Sequence, residues 1–137
     1  WFSAVVRGDV NTITIGDRVN IQDGAVIHTL YQRSVTEIGN DVSIGHNANI
    51  HGAKIEDKCL IGMGATVLDH AVVGTGSIVA ANALVLSGTK IEPGSIYAGI
   101  PAKRVKGVTP EQVKDIIERT ARDYVMYASW YKEKEDK

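Results

Sequence analysis

The sequence predicts a mainly β chain: a parallel β-helix of hexapeptide units followed by one C-terminal α-helix. Three observations predict it. Aliphatic residues recur every six positions at Ile38, Ile44 and Ile50, and again at Ile55, Ile61, Val67, Val73, Val79, Val85 and Ile91. Four residues after nearly every one comes a small or β-branched residue, as at Val42, Ala48, Cys59, Ala65, Ala71, Ser77, Ala83, Thr89 and Ser95. A capped apolar stripe at helical spacing then closes the chain. A period of six fits neither a 3.6-residue helix nor strand alternation, but it fits short strands that meet at turns and stack their aliphatic side chains inside a coil.

Each part follows in order. Ala4 takes the small slot of a unit whose aliphatic residue would precede Trp1, so the first coil is expected to be cut open, with a capping strand missing. Ile15, Ile21 and Ile27 carry the same phase, with Val19 and Ala25 in the small slot. Ile27 to Ile38 spans eleven residues, so that unit carries a loop at Thr29 to Thr36; Ile50 to Ile55 spans five, one short, beside His51. Gly39, Gly45, Gly62 and Gly74 each follow their aliphatic residue, where tight turns are expected to need glycine. After Ile91 the pattern is expected to end at Pro93-Gly94 and the segment Tyr97 to Lys103. Thr109-Pro110-Glu111-Gln112 reads as N-cap, first-position proline and capping box. Val113, Ile116, Ile117, Thr120, Ala121, Tyr124, Ala128 and Tyr131 form the face expected to pack along the coil. The division is therefore a β-helix over 1–108, a helix over 109–131 and a charged, frayed tail over 132–137.

Composition excludes several functions. A chain of 137 residues suffices for one continuous core. A net charge of −1 provides no basic field for nucleic acid. No stretch reaches the ~20 apolar residues of a membrane span. One cysteine, Cys59, leaves no internal disulfide framework and fits a reducing compartment, so the expected location is cytoplasmic.

The chemistry concentrates in residues 20 to 52, which hold three of the four histidines. With the loop counted as an excursion within one unit, Ile50 lies on the face of Ile27, one coil along. His28 and His51 each follow those residues by one, so they stack at ~4.8 Å strand spacing and can share a metal. His46, two residues after Ile44, lies on the face between and would point towards a neighbouring chain. His70 follows Asp69 at an ordinary surface position.

Arg7-Gly8-Asp9, Asn20-Ile-Gln22-Asp23-Gly24 with His28, Gly45-His46 with His51-Gly52, and Ile61-Gly-Met-Gly-Ala65 together resemble the γ-class carbonic anhydrases. The resemblance runs from Trp1 to about Val108. It implies a left-handed β-helix, a homotrimer with metal between subunits, and carbon dioxide and bicarbonate as substrate and product. The implied ligands are His28 and His51 from one chain and His46 from the next, holding Zn2+, with Fe2+ or Co2+ as other metals three nitrogens accept. Gln22 is implied near the metal water, Arg7, Asp9 and Asp23 as a charged interface cluster, and Tyr124 as a tyrosine some relatives bring near the metal. One departure stands out: well-characterised members carry a glutamate in the loop after the first histidine, whereas Thr29 to Thr36 holds no carboxylate and Glu37 only ends it. The resemblance thus implies slow hydration. Two other classes share the coil: hexapeptide acyltransferases that use histidine as a general base with acyl-coenzyme A, for which Gly99-Ile-Pro-Ala-Lys103 is a matching end motif, and non-catalytic metal-binding or assembly subunits.

Overall fold

The computed structural model describes residues 1–132; the charged tail lies almost wholly outside them. The strands in chain order are β1 (Val5–Val6), β2 (Ile13–Ile15), β3 (Asn20–Ile21), β4 (Val26–His28), β5 (Thr36–Ile38), β6 (Ser43–Ile44), β7 (Asn49–His51) and β8 (Lys54–Ile55). They continue as β9 (Leu60–Ile61), β10 (Thr66–Val67), β11 (Val72–Val73), β12 (Ile78–Val79), β13 (Leu84–Val85), β14 (Lys90–Ile91), β15 (Ser95–Ala98) and β16 (Lys103–Gly107). Every third strand pairs in parallel. The first sheet runs β1-β4-β7-β10-β13, the second β2-β5-β8-β11-β14, and the third β3-β6-β9-β12-β15 with β16 added at its edge. The chain thus winds a three-sided coil.

The aliphatic ladder lines its inside. Ile27, Ile44, Ile50, Ile61, Val67, Val73, Val79 and Val85 are fully enclosed, and Ala25, Ala48, Cys59, Ala65 and Ala71 fill the corners between them. Each enclosed aliphatic side chain stabilises the coil by roughly 1.5–3 kcal/mol relative to exposure. At the β1 end Phe2, Val5 and Val6 are exposed.

Three expectations change. The coil does not end at Ile91: Tyr97 pairs with Val79 one unit further on, and antiparallel β16 returns along β15. An aromatic residue in an aliphatic slot hides the period there. The glycines after the aliphatic residues open turns, the carbonyls of Gly45 and Gly62 accepting the amides of Ala48 and Ala65 at 3.1 and 3.2 Å, but the turn's left-handed position is not theirs. Positive φ falls two residues later, at Asp41, Asn47, Gly64 and Gly76. Gly45 is required because a Cβ there would stand 2.7 Å from the carbonyl oxygen of Ile61 and from the amide nitrogen of Met63 in the next coil. Finally, the helix begins as expected, with Thr109 and Gln112 closing a reciprocal capping box around α1 (Pro110–Gln112). A π-helical stretch over Val113–Glu118 then separates α1 from α2 (Arg119–Lys132) and rotates the later residues. Ile117 and Ala121 are buried and the Tyr131 ring packs edge-on against Trp1 with centroids 5.6 Å apart, whereas Ile116 of the expected stripe is exposed.

Candidate metal centre

Register brings the two histidines together. Ile27 pairs with Ile50 across β4 and β7, so His28 sits beside His51 at the corner between the first and second sheets. Their rings meet at 64° with centroids 5.1 Å apart, and His28 Nδ1 lies 3.2 Å from His51 Nε2. The outer nitrogens are committed. His28 Nε2 lies 3.2 Å from Asp9 Oδ1, and His51 Nδ1 lies 2.9 and 3.0 Å from the two oxygens of Asp69.

Both carboxylates are held in the ionised form. The hydrogen bond from Arg7 to Asp9, 2.7 Å long, outweighs desolvation and holds that carboxyl below its ordinary range, with His28 helping. Burial pushes Asp69 up, but hydrogen bonds from Ser34 and His51 outweigh it, and the net shift is downward. An ionised carboxylate only accepts, so each outer nitrogen carries the proton. With the outer nitrogens turned to carboxylates, the inner nitrogens are the pair that faces a shared centre, 3.2 Å apart. Two zinc–nitrogen bonds of ~2.0–2.1 Å at a tetrahedral angle separate their nitrogens by about 3.3–3.4 Å, close to the separation here. The residues fit a metal.

The remaining candidates occupy another corner, between the third and first sheets. His46 is half-buried and touches Asp23, with 3.4 Å between Nδ1 and Oδ1. Gln22 is buried beneath, its amide donating to Asn20 Oδ1 at 3.0 Å, and Asn20 in turn donates to Ser43 Oγ at 2.8 Å. Tyr124 comes from α2, its ring centroid 5.5 Å from that of Trp1. Desolvation first, then the nearby charge of Asp23, pushes the Tyr124 hydroxyl above its usual range, so it stays a donor at neutral pH. Gln22, His46 and Tyr124 border one groove of about 430 Å³, floored by Leu60 and Met63.

One chain therefore brings Arg7, Asp9, His28 and His51 together and keeps Gln22, Asp23, His46 and Tyr124 apart from them. Among its described residues no three His, Cys, Asp or Glu side chains converge as a metal cluster. Glu37 stands in register with Lys54 on the second sheet and makes no hydrogen bond to either paired histidine among the described residues. His70 occupies a left-handed turn position with φ 63°. Sequence reasoning missed Asn20, Ser34 and Asp69. Asn20 was within reach, since it lies two residues before Gln22 and shares its side of the strand.

Fold and corner define a class: a hexapeptide-repeat, left-handed parallel β-helix that carries a histidine pair suited to a metal. The family profile described as "Bacterial transferase hexapeptide (six repeats)" matches residues 35–69 and 52–87. A Methanocaldococcus jannaschii protein named "Probable carbonic anhydrase" is 55% identical over 89% of this chain and 76% of its own length. "Gamma carbonic anhydrase 1, mitochondrial" of Arabidopsis thaliana is 41% identical over 90% of this chain but only 46% of its own length, so the chain spans under half of that relative. The crystal structure of a hexapeptide transferase family protein from Anaplasma phagocytophilum superposes with a TM-score of 0.90 at 36% identity, over 96% of this chain and 76% of that one. The chain belongs to the γ-class carbonic anhydrase-like family.

Proposed function

We propose that this protein is a metal-dependent carbonic anhydrase that hydrates carbon dioxide reversibly to bicarbonate, with its site completed between subunits of a homotrimer. The observation that carries the reading is the pair of facing ring nitrogens of His28 and His51, 3.2 Å apart, each ring fixed by a carboxylate on its far side. His46, half-buried at another corner, supplies the third nitrogen from the neighbouring chain. Zinc is the metal three imidazoles suit, and ferrous iron or cobalt satisfies the same donors. Bound there, the metal lowers the pKa of water towards ~7 and so makes a nucleophile available at neutral pH.

The chain's own groups do the rest. Gln22, anchored by Asn20, presents a fixed amide to orient water or bicarbonate. Arg7 neutralises Asp9 and holds it against His28. Asp23 steadies the His46 ring, and Tyr124 offers a hydroxyl donor at the rim of the groove. Leu60 and Met63 give that groove an apolar floor suited to an uncharged substrate. Proton removal is the weak point. With no carboxylate in the loop, buffer must take the proton, and turnover is slow in weak buffer. Burial pushes the Cys59 thiol up to about 12, so that sulfur takes no part; a lone buried thiol supports a cytoplasmic location.

Stopped-flow carbon dioxide hydration tests the reading, with anaerobically purified protein loaded separately with zinc and ferrous iron. Activity is expected in the loaded wild type and lost in His51→Ala. A loaded protein without activity would overturn the anhydrase assignment. The hexapeptide transferase profile favours a second reading, acyl transfer from acyl-coenzyme A with one histidine as base; activity of that kind surviving chelation would replace ours.

A further inference from the structure

The metal reading requires His51 to keep its proton on Nδ1 and aim Nε2 at His28. The histidines do not ensure this themselves, since a free imidazole exchanges tautomers and spins about its bond to Cβ. Two side chains from elsewhere close on His51. Asp69 comes from the turn of the following coil and sets both carboxylate oxygens 2.9–3.0 Å from Nδ1. Ser34 comes from the long loop, is 5% exposed, and donates to Asp69 Oδ1 at 2.6 Å while accepting the Leu30 amide at 3.0 Å. The carboxylate is thus pinned on one side by the loop and on the other by the ring.

The backbone is shaped to admit this contact. Gly52, with φ 61°, follows His51, and a Cβ there would collide with both Ser34 Oγ and Asp69 Oδ1. The shortened step after Ile50 falls at the same place. Thr36, fully buried at the loop's far end, donates to the carbonyl of His28 at 2.7 Å and accepts the amide of Gly52 at 2.9 Å. The loop therefore ties down both histidine-bearing strands.

We propose that Asp69 is a positioning residue for His51, anchored by Ser34, and that the loop from Thr29 to Thr36 acts as the clamp that holds the metal-binding tautomer in place. The proposal rests on the metal reading for its purpose but not for its geometry. It gives the carboxylate-free loop a role other than proton transfer. Second carboxylates behind metal-binding imidazoles commonly change affinity 10–100-fold, because they fix the tautomer and raise ligand basicity.

The test compares Asp69→Ala, Asp69→Asn and Ser34→Ala in the full chain. Zinc affinity is read by competition with a chromophoric chelator, and the His51 tautomer is read in metal-free protein by long-range 15N–1H correlation. Thermal melts first establish that each variant folds. Asp69→Ala should bind zinc about 10–100-fold more weakly, with the His51 proton no longer confined to Nδ1. Asp69→Asn should recover much of both, since its carbonyl oxygen still accepts from Nδ1–H, and Ser34→Ala should shift both in the direction of Asp69→Ala, by less. Wild-type zinc affinity and an unmoved proton in Asp69→Ala would overturn the proposal. So would an Asp69→Asn variant as impaired as Asp69→Ala. Should Asp69→Ala fail to fold, unchanged affinity and tautomer in Ser34→Ala would overturn the clamp. A wild-type chain that binds no zinc, yet keeps its proton on Nδ1 until Asp69 is removed, would overturn the metal reading while upholding the positioning role.

Discussion

Two corners of the same coil carry the polar chemistry, and they are built in opposite ways. At the corner of His28 and His51 each side chain is held on its far side, in a line running from Arg7 through Asp9, His28, His51 and Asp69 to Ser34. At the corner of His46 the imidazole has one long contact and lies open beside an apolar groove, while Gln22 is locked in place below it. Rigid ligands cost little ordering entropy when they bind, and an open ligand is one that something else must approach. The difference teaches that the first corner is fixed within the chain, whereas the second is left accessible. In the homotrimer proposed above, one corner of each chain would meet the other corner of its neighbour, and closure would make every site equivalent.

The largest break in this comparison comes from His51→Ala. It should abolish metal content in purified protein, while His70→Ala, at the same corner but exposed and without a hydrogen bond to the pair, should leave it at the wild-type level. Equal metal in both would mean that the first corner is not the ligand pair. Next is backbone fit. Gly52→Ala forces a Cβ onto Ser34 and Asp69 at a left-handed position, whereas Gly76→Ala meets nothing within 4 Å at a similar φ. Calorimetry should show Gly76→Ala destabilised by about 1–2 kcal/mol, the cost of the left-handed backbone, and Gly52→Ala by about 1–3 kcal/mol more for overpacking. Equal losses would deny that the first corner is tightly packed.

Smaller effects sharpen the picture. Gln32→Glu places a carboxylate in the loop that lacks one, and should raise hydration several-fold in weak buffer but not in strong buffer. No change in either would mean that proton removal is not the slow step. The smallest effect belongs to the third corner, which carries no histidine. There Arg18 pairs with Asp41 at 2.7 Å and holds its carboxyl below the ordinary range. A depressed folded pKa contributes stability above the unfolded value near 3.9 that is lost as pH falls through the folded pKa. Arg18→Ala should therefore move acid unfolding, followed by circular dichroism, slightly to higher pH, leaving metal content unchanged. Lost metal in this variant would show that the corners are not independent.

How much of this was legible in the sequence follows from the range of each interaction. The ladder from Ile15 to Ile91 was legible because every coil repeats the same steric demand, and the His28–His51 pairing followed once the loop was read as an excursion. Tyr97 escaped because the slot tolerates an aromatic at the coil's end, where no further turn crowds it. The glycines at 39, 45, 62 and 74 mark turns, but the demand for glycine there comes from close approach of the next coil, which leaves the same mark in a sequence. Asp69 and Ser34 were invisible. They meet through a loop that lies outside the repeat and an ordinary turn within it, and only the folded corner brings them to His51. The π-helical stretch likewise leaves no periodic trace, so Ile116 within it reads as part of the packed face although it is exposed.

The central claim is that one chain's first corner meets the next chain's second corner around a metal, and subunit mixing tests it most directly. His46→Ala and His51→Ala chains, each expected to purify without metal, are co-expressed in equal amounts and the mixed assembly is assayed for bound zinc. If ligands come from two chains, random mixing places an intact His28–His51 pair beside an intact His46 at about one interface in four, and zinc should return to about a quarter of the wild-type content. Zinc that stays absent in an assembly shown to contain both variants would contradict the account.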